Sequence, residues 1–171
     1  ALGDSALFTA EASSPDSEIQ RVEYIGLYED VNYEGDGIYY QWHYHYYHGK
    51  ITHHIGTAYD MPYQVTWDTS WIPDQAQPMQ VSARIIDESG LIYMTEPVSD
   101  LALDRGTVSV ELCKPYEVSS RWTTRDYGKG ESFDITGNLE NAVAARLVWT
   151  SWCPGYMNGI SVNGVKVFDK E

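Results

Sequence analysis

Short β-prone runs, separated by turn residues, constrain what this chain can fold into more than any other feature. Branched and aromatic residues recur in runs of four to nine positions, and helical periodicity is nearly absent. The Asn163–Gly164 dipeptide suits the two positive-φ positions of a tight hairpin turn. Only Leu139–Ala145, with Asn138 as a possible N-cap, reads as helical. The sequence therefore predicts an all-β protein of the sandwich type.

Two groups of strands are predicted. Those of the first part of the chain are Ala6–Ala12, Ile19–Leu27, Ile38–Tyr47, Lys50–Thr57, Tyr63–Trp67, Met79–Asp87, Leu91–Met94 and Val98–Leu103. Those of the second part are Val108–Lys114, Trp122–Arg125, Ser132–Ile135, Ala145–Trp152, Gly159–Val162 and Val165–Phe168.

The charge of the chain excludes some classes of partner. Asp and Glu number 25 against 11 Lys and Arg, a formal net charge of -14. Nucleic acids and anionic membranes both select a basic face, so we expect neither as a partner. No apolar run approaches the roughly 18 residues of a membrane-spanning helix. An acidic surface suits a neutral partner, a cation or an extracellular setting, and it equally suits a secreted protein that simply stays soluble.

Aromatic, histidine and acidic residues are concentrated in residues 28–50. A purely structural domain does not require a segment of this composition. Strand alternation places Trp42, Tyr44 and Tyr46 on one face of the predicted strand Ile38–Tyr47. Sugar rings present apolar faces that stack on flat aromatic side chains. The pattern predicts either a carbohydrate platform, with Trp71 as a further stacking candidate, or a face packed against the sandwich or a neighbouring domain.

The same stretch contains alternating oxygen-bearing side chains at Asp30, Asn32, Glu34 and Asp36. Calcium takes several oxygen ligands from a tightly turning loop, and this spacing resembles the first half of such a loop. Gln41 stands where a bidentate Glu would complete it. The residues leave open a calcium site and a solvated hairpin tip.

All five histidines of the chain fall between residues 43 and 54. His43 and His45 on one strand face, with His53 from a facing strand, form a set that zinc or copper accepts. No HExxH motif supports a metalloenzyme, and no nucleophile-elbow or phosphate-loop motif is present. We therefore expect no catalysis, and we expect Asp68 and Asp87 to cap turns.

Cys113 and Cys153 are the only cysteines. A disulfide between them would close a loop of about 40 residues and stabilise an extracellular β-domain by roughly 3–4 kcal/mol. The alternative is a pair of buried thiols in a cytosolic protein.

Half of the chain carries a family resemblance. The segments are FTAEAS at Phe8–Ser13, IQRVEY at Ile19–Tyr24, IGTA at Ile55–Ala58, PYQVTWDT at Pro62–Thr69, VSARIIDESG at Val81–Gly90 and EPV at Glu96–Val98. In this order they resemble bacterial immunoglobulin-like modules of secreted, carbohydrate-associated proteins. The hairpin at residues 28–55 is much longer than in that family, and the first strand is short. Later, AARLVWTSW from Ala144 and GISVNGVKVF from Gly159 resemble a strand pair of jelly-roll modules.

The stretch Asp104–Thr107 predicts a boundary between two domains. Residues 1–104 would form an immunoglobulin-like sandwich with the inserted hairpin, and residues 105–171 a smaller β-unit that either packs on it or is part of a larger domain. We expect a secreted, non-catalytic carbohydrate-binding or adhesive module. The alternatives are a structural protein of a filament or surface layer, whose subunits complete each other by strand addition, and a histidine-dependent metalloenzyme.

Overall fold

The computed structural model describes residues 1–30, 39–41, 46–48, 54–113, 130, 132–148 and 159–169, with the backbone alone for 39–41 and 46–48. It divides into two compact units, Ala1–Leu112 and Cys113–Glu171. Strands make up its regular structure apart from a 3-10 helix at Leu139–Asn141, so the all-β prediction is confirmed. Within these ranges no helix has the length and apolar character needed to cross a membrane.

Antiparallel sheets build the first unit. In chain order its strands are β1 (Ser5–Thr9), β2 (Ile19–Leu27), β3 (Tyr39–Gln41), β4 (Tyr46–His48), β5 (His54–Ala58), β6 (Gln64–Asp68), β7 (Met79–Asp87), β8 (Ile92–Met94) and β9 (Val98–Leu101). The largest sheet has the order β5-β2-β7-β8, and β9 follows β8 along the same edge of β7. β1 pairs with β6 in a second sheet, and β3 pairs with β4. The bounds of β2 and β7 are those predicted, because both segments alternate β-branched or aromatic residues with polar ones.

Side chains from both larger sheets meet in one core, which gives the unit a sandwich-like arrangement. The buried core residues are Val22, Tyr24, Ala58, Tyr63, Trp67, Ile72, Met79, Val81 and Ala83. Phe8 of β1 bridges the layers, with its ring centroid 6.1 Å from that of Tyr24 and 6.2 Å from that of Trp67. A Cβ at Gly56 of β5 would lie 2.5 Å from Val65 Cγ1, so β5 and β6 approach closely only because this position is glycine.

The prediction of one long strand over Ile38–Tyr47 is wrong. Gln41 pairs with Tyr46 and Tyr39 with His48, so the chain reverses direction between β3 and β4. Alternation of period two fits two short strands as well as one long strand, and the residues between them include none of the usual turn formers.

In the second unit the structure describes one hairpin, β10 (Gly159–Val162) and β11 (Val165–Asp169). The predicted turn between them is confirmed, with positive φ angles of 49° at Asn163 and 79° at Gly164. Asn138 caps the 3-10 helix by accepting a hydrogen bond from the Glu140 N–H at 3.0 Å. The helical turn ends at Asn141, short of the predicted Ala145.

Several strand predictions in this part of the chain are wrong. Residues 108–113, 132–135 and 145–148 are described and belong to no strand. The predicted strand Trp122–Arg125 lies outside the described residues. Residues 132–135 and 145–148 belong to the second unit, none of whose described residues is buried, so these two segments lack the covered face that would hold a strand in a sheet.

Two carboxylates are buried on the β2–β7 ladder, those of Glu23 and Asp87, and that of Glu23 forms ion pairs. Glu23 is only 7% exposed and stands opposite Arg84 in the strand register. Its Oε1 accepts from Arg21 Nε at 2.7 Å, and its Oε2 accepts from Arg84 Nε at 2.6 Å. Burial alone would raise the pKa of Glu23, but hydrogen bonds from the two guanidinium groups outweigh it and lower this pKa below its ordinary value of 4.5.

This arrangement predicts a specific acid sensitivity. A carboxylate whose pKa is lower in the folded state stabilises the fold fully above its unfolded pKa, and that stabilisation is lost as the pH falls through the folded value. We expect the free energy of unfolding to decline between about pH 5 and pH 3, and to decline less steeply in Glu23→Gln. Urea denaturation over a pH series measures both slopes, and parallel curves would contradict this role of Glu23.

Candidate functional site

The insertion begins and ends on neighbouring strands. β2 ends at Leu27, and the chain re-enters the sheet in β5, where His54 is paired with Ile25. Residues 28–53, called the insertion from here on, therefore leave and return at one place on the sheet.

The first side chain of the insertion packs onto the sandwich. The Tyr28 ring lies 4.9 Å from the Trp67 ring, between centroids, and covers Gly26, where any Cβ would collide with it. Burial raises the pKa of the Tyr28 hydroxyl well above its usual range, and the nearby charge of Asp30 adds to this shift. Tyr28 is therefore neutral at any physiological pH and acts as an anchor.

Next to it, the side-chain amide of Gln75 holds the backbone of Glu29. The Glu29 N–H donates to Gln75 Oε1 at 2.7 Å, and Gln75 Nε2 donates to the Glu29 carbonyl at 2.8 Å and to the Pro73 carbonyl at 2.6 Å. The amide reproduces the reciprocal bonds of a β-ladder pair. It fixes the start of the insertion to residues 69–75, which we call the Trp71 loop.

A buried arginine organises the Trp71 loop. The Arg105 side chain is 2% exposed, and its Nη1 donates to the carbonyls of Ile72, Thr69 and Ser70 at 2.6, 3.2 and 3.4 Å. Its Nη2 forms an ion pair with the Asp74 carboxylate. A buried guanidinium is tolerated only when its donors find acceptors, and this loop is folded so that its carbonyls supply them.

The same loop is tied to both ends of the first unit. The N–H of Thr69, which is fully buried, donates to the Asp4 carbonyl at 3.0 Å, and its hydroxyl donates to the Gly3 carbonyl. The Asp74 N–H donates to the Val110 carbonyl at 2.9 Å. The contacts of this loop therefore span the first unit, which extends to Leu112.

The two aspartates predicted to cap turns do so. Asp68 Oδ1 accepts from the Ser70 N–H at 3.0 Å and from its hydroxyl at 2.6 Å. Asp87 Oδ1 accepts from the Ser89 hydroxyl at 2.6 Å and from the Leu91 N–H at 3.1 Å. The Ser89 bond is the main reason that the pKa of Asp87 lies below its usual range. Both carboxylates thus serve turn geometry.

The structure brings only part of the predicted sites into view. Trp71 is half-buried in its loop, Asp30 is half-buried at the foot of the insertion, and Tyr46 lies on β4. Cys113 is half-buried at the start of the second unit. The predicted residues outside the described ranges are Trp42, Tyr44, Asn32, Glu34, Asp36, His43, His45, His53 and Cys153.

Two described strands border the predicted aromatic and histidine sites. Tyr46 lies on β4, which is antiparallel to β3, and His54 lies on β5, which pairs with β2. The aromatic platform and the histidine set stay predictions, because their other residues lie outside the described ranges. Within the part of the chain that is described, no three His, Cys, Asp or Glu side chains cluster to hold a metal ion.

Sequence reasoning missed Arg105, Gln75 and Glu29. Arg105 sits in a polar stretch that reads as a linker, and its role depends on carbonyl groups more than thirty positions away. One signal was available in the composition: the first unit contains 18 Asp and Glu but only four Lys and Arg. Each basic residue of so acidic a unit is a candidate for a structural role.

No protein-family model, characterised protein or solved structure matches this chain.

Arg105→Met tests the organisation of the Trp71 loop. The variant keeps a long side chain but leaves three carbonyls without their guanidinium donor. We expect the free energy of unfolding to fall by at least about 1.5–3 kcal/mol, the contribution of one hydrogen bond to a charged group. The matched control is Asp74→Asn, since Asp74 is 53% exposed and the asparagine side-chain oxygen can still accept a hydrogen bond from Arg105 Nη2, so the loss should be smaller. Equal losses in denaturant melts would contradict the arrangement.

Proposed function

We propose that this chain is a secreted, non-catalytic module of the carbohydrate-binding or adhesive kind that recognises its ligand with the insertion. The observation that carries the proposal is the bracing of the insertion at its base by Tyr28, Gln75 and the loop that Arg105 holds. Rigid scaffolds commonly present binding loops, and a loop with a fixed base loses less entropy when it binds.

The chemistry of the insertion suits a neutral glycan. Trp42, Tyr44 and Tyr46 offer aromatic faces for sugar rings and polar rims for their hydroxyl groups. Trp71 belongs to the loop that holds Glu29, which places it at the foot of the same insertion. A polysaccharide without charge meets no repulsion from a chain of net charge -14.

Affinity electrophoresis in gels that contain neutral polysaccharides tests this function. We expect at least one polysaccharide to retard the wild-type chain, and Trp42→Ala and Trp71→Ala to weaken that binding about tenfold, which corresponds to 1.4 kcal/mol of stacking. Tyr59→Ala is the matched control, because Tyr59 is an exposed aromatic residue outside the insertion. If no polysaccharide retards the chain, or if Tyr59→Ala weakens binding as much, the proposal is wrong.

We also propose that calcium orders the first part of the insertion through Asp30, Asn32, Glu34 and Asp36, as in a secreted binding module. Asp30 adjoins Glu29, whose backbone Gln75 holds, so a cation bound there would extend the braced base outward. A Cys113–Cys153 disulfide belongs to the same proposed extracellular setting.

Removal of the metal gives a direct test. We expect EGTA to lower the melting temperature of the wild-type chain and added calcium to restore it, because a ligand bound only to the folded state stabilises it. Asp30→Ala should abolish this response, whereas Asp60→Ala, an exposed turn aspartate, should keep it. A wild-type melting temperature that does not change with EGTA would refute the calcium site.

A second candidate function is assembly, with the insertion and the second unit as subunit interfaces of a filament or surface layer. It is favoured by the apolar residues that the described part of the second unit leaves uncovered, among them Leu139, Val143 and Val148. Uncovered apolar surface of this kind commonly marks a protein interface.

A further inference from the structure

The strand β8, at one edge of the main sheet, has apolar residues on both faces. Among the described strands β8 pairs with β7 alone. Leu91, Ile92, Tyr93 and Met94, which we call the β8 edge, are 43–58% exposed. Successive residues of a strand point to opposite faces, so apolar side chains flank the open backbone on both sides. Such an edge is a template for a further strand.

Acidic residues surround this edge. Glu88, Glu96 and Asp100 are exposed, and no Lys or Arg occurs between Arg84 and Arg105. Arg21 and Arg84 are paired with Glu23, and Arg105 is paired with Asp74. The first unit has 18 Asp and Glu against four Lys and Arg, whereas the second has seven of each. Two copies of the β8 edge would therefore repel each other, and the second unit carries no net charge that would repel the edge.

The second unit contains a segment with the character of a missing strand. Residues Ala142–Val148 read AVAARLV, which we call the donor segment, and its only charge is that of Arg146. It has no strand partner among the described residues, and its Val143 is 91% exposed. As a strand, the segment would point successive side chains to opposite faces. Since all of them except Arg146 are apolar, apolar side chains would cover both faces beside an edge strand.

We propose that the β8 edge of one copy accepts the donor segment of a second copy as an added strand, an inference that rests on the assembly function above. Apolar burial drives the contact, and charge selects its partner, because two acidic edges repel each other whereas the second unit has seven acidic and seven basic residues. The contact joins two different surfaces, so it is heterologous and extends into open chains unless the rotation between copies closes a ring.

Light scattering after size exclusion tests this on the full chain. We expect the mass of the wild type to rise with concentration, and Ile92→Lys on the acceptor side or Val143→Asp on the donor side to leave only monomers. Leu7→Lys and Val165→Asp are the matched controls, because both positions are exposed apolar residues on other strands, and they should assemble as the wild type does.

Mixing the two variants separates a lost interface from a lost fold. Ile92→Lys keeps an intact donor segment and Val143→Asp keeps an intact acceptor edge. Equal amounts of the two should form dimers that grow no further, since each dimer retains one disabled donor and one disabled acceptor. Monomers only in this mixture would overturn the proposed pairing of edge and segment.

The other outcomes distinguish failure of the strand-addition proposal from failure of the assembly function. A wild type that stays monomeric at every concentration overturns both the strand addition and the assembly function, and the binding-module proposal stands. Oligomers that persist in both variants overturn the strand addition alone and place the interface elsewhere. Oligomers lost in Ile92→Lys but kept in Val143→Asp show that the edge takes another occupant, and they too overturn the pairing.

Discussion

The guanidinium group of Arg105 is the interaction on which the first unit depends. It is almost completely buried, and it gathers the carbonyls of Thr69, Ser70 and Ile72 around one charge. A charge in that position without acceptors would destabilise the fold by several kcal/mol. The path of the Trp71 loop is therefore set by electrostatics, and the apolar core supports it through Ile72.

The Trp71 loop fixes the position of the base of the insertion. Gln75 follows Asp74, the ion-pair partner of Arg105, and it holds the backbone of Glu29 with two hydrogen bonds. Tyr28 adds an aromatic contact with the core residue Trp67. The result is a continuous path of contacts from the last segment of the first unit to the base of the insertion. We therefore regard the base of the insertion as held in place by the first unit.

Local patterns predicted what depends on local physics. The bounds of β2, β7 and β10 follow from short segments that contain β-branched residues, and the cap at Asp87 and the turn at Asn163–Gly164 follow from the conformations that these residues favour. The reversal between β3 and β4 escaped prediction because alternation does not fix strand length. The roles of Arg105 and Gln75 escaped it because contacts between distant side chains and backbone leave no periodic trace. The sequence therefore predicted which types of residue the candidate site contains. The contacts that brace the base of the insertion are known only from the structure.

Amide hydrogen exchange of the intact chain, read residue by residue, tests the central claim that the Trp71 loop is part of the rigid scaffold. The N–H groups of Thr69, Ile72, Asp74 and Glu29 all donate to acceptors within the first unit. We predict that they exchange as slowly as those of β2 and β7, because they open only when the unit unfolds. Fast exchange at these four amides, while the two strands stay protected, would contradict the account.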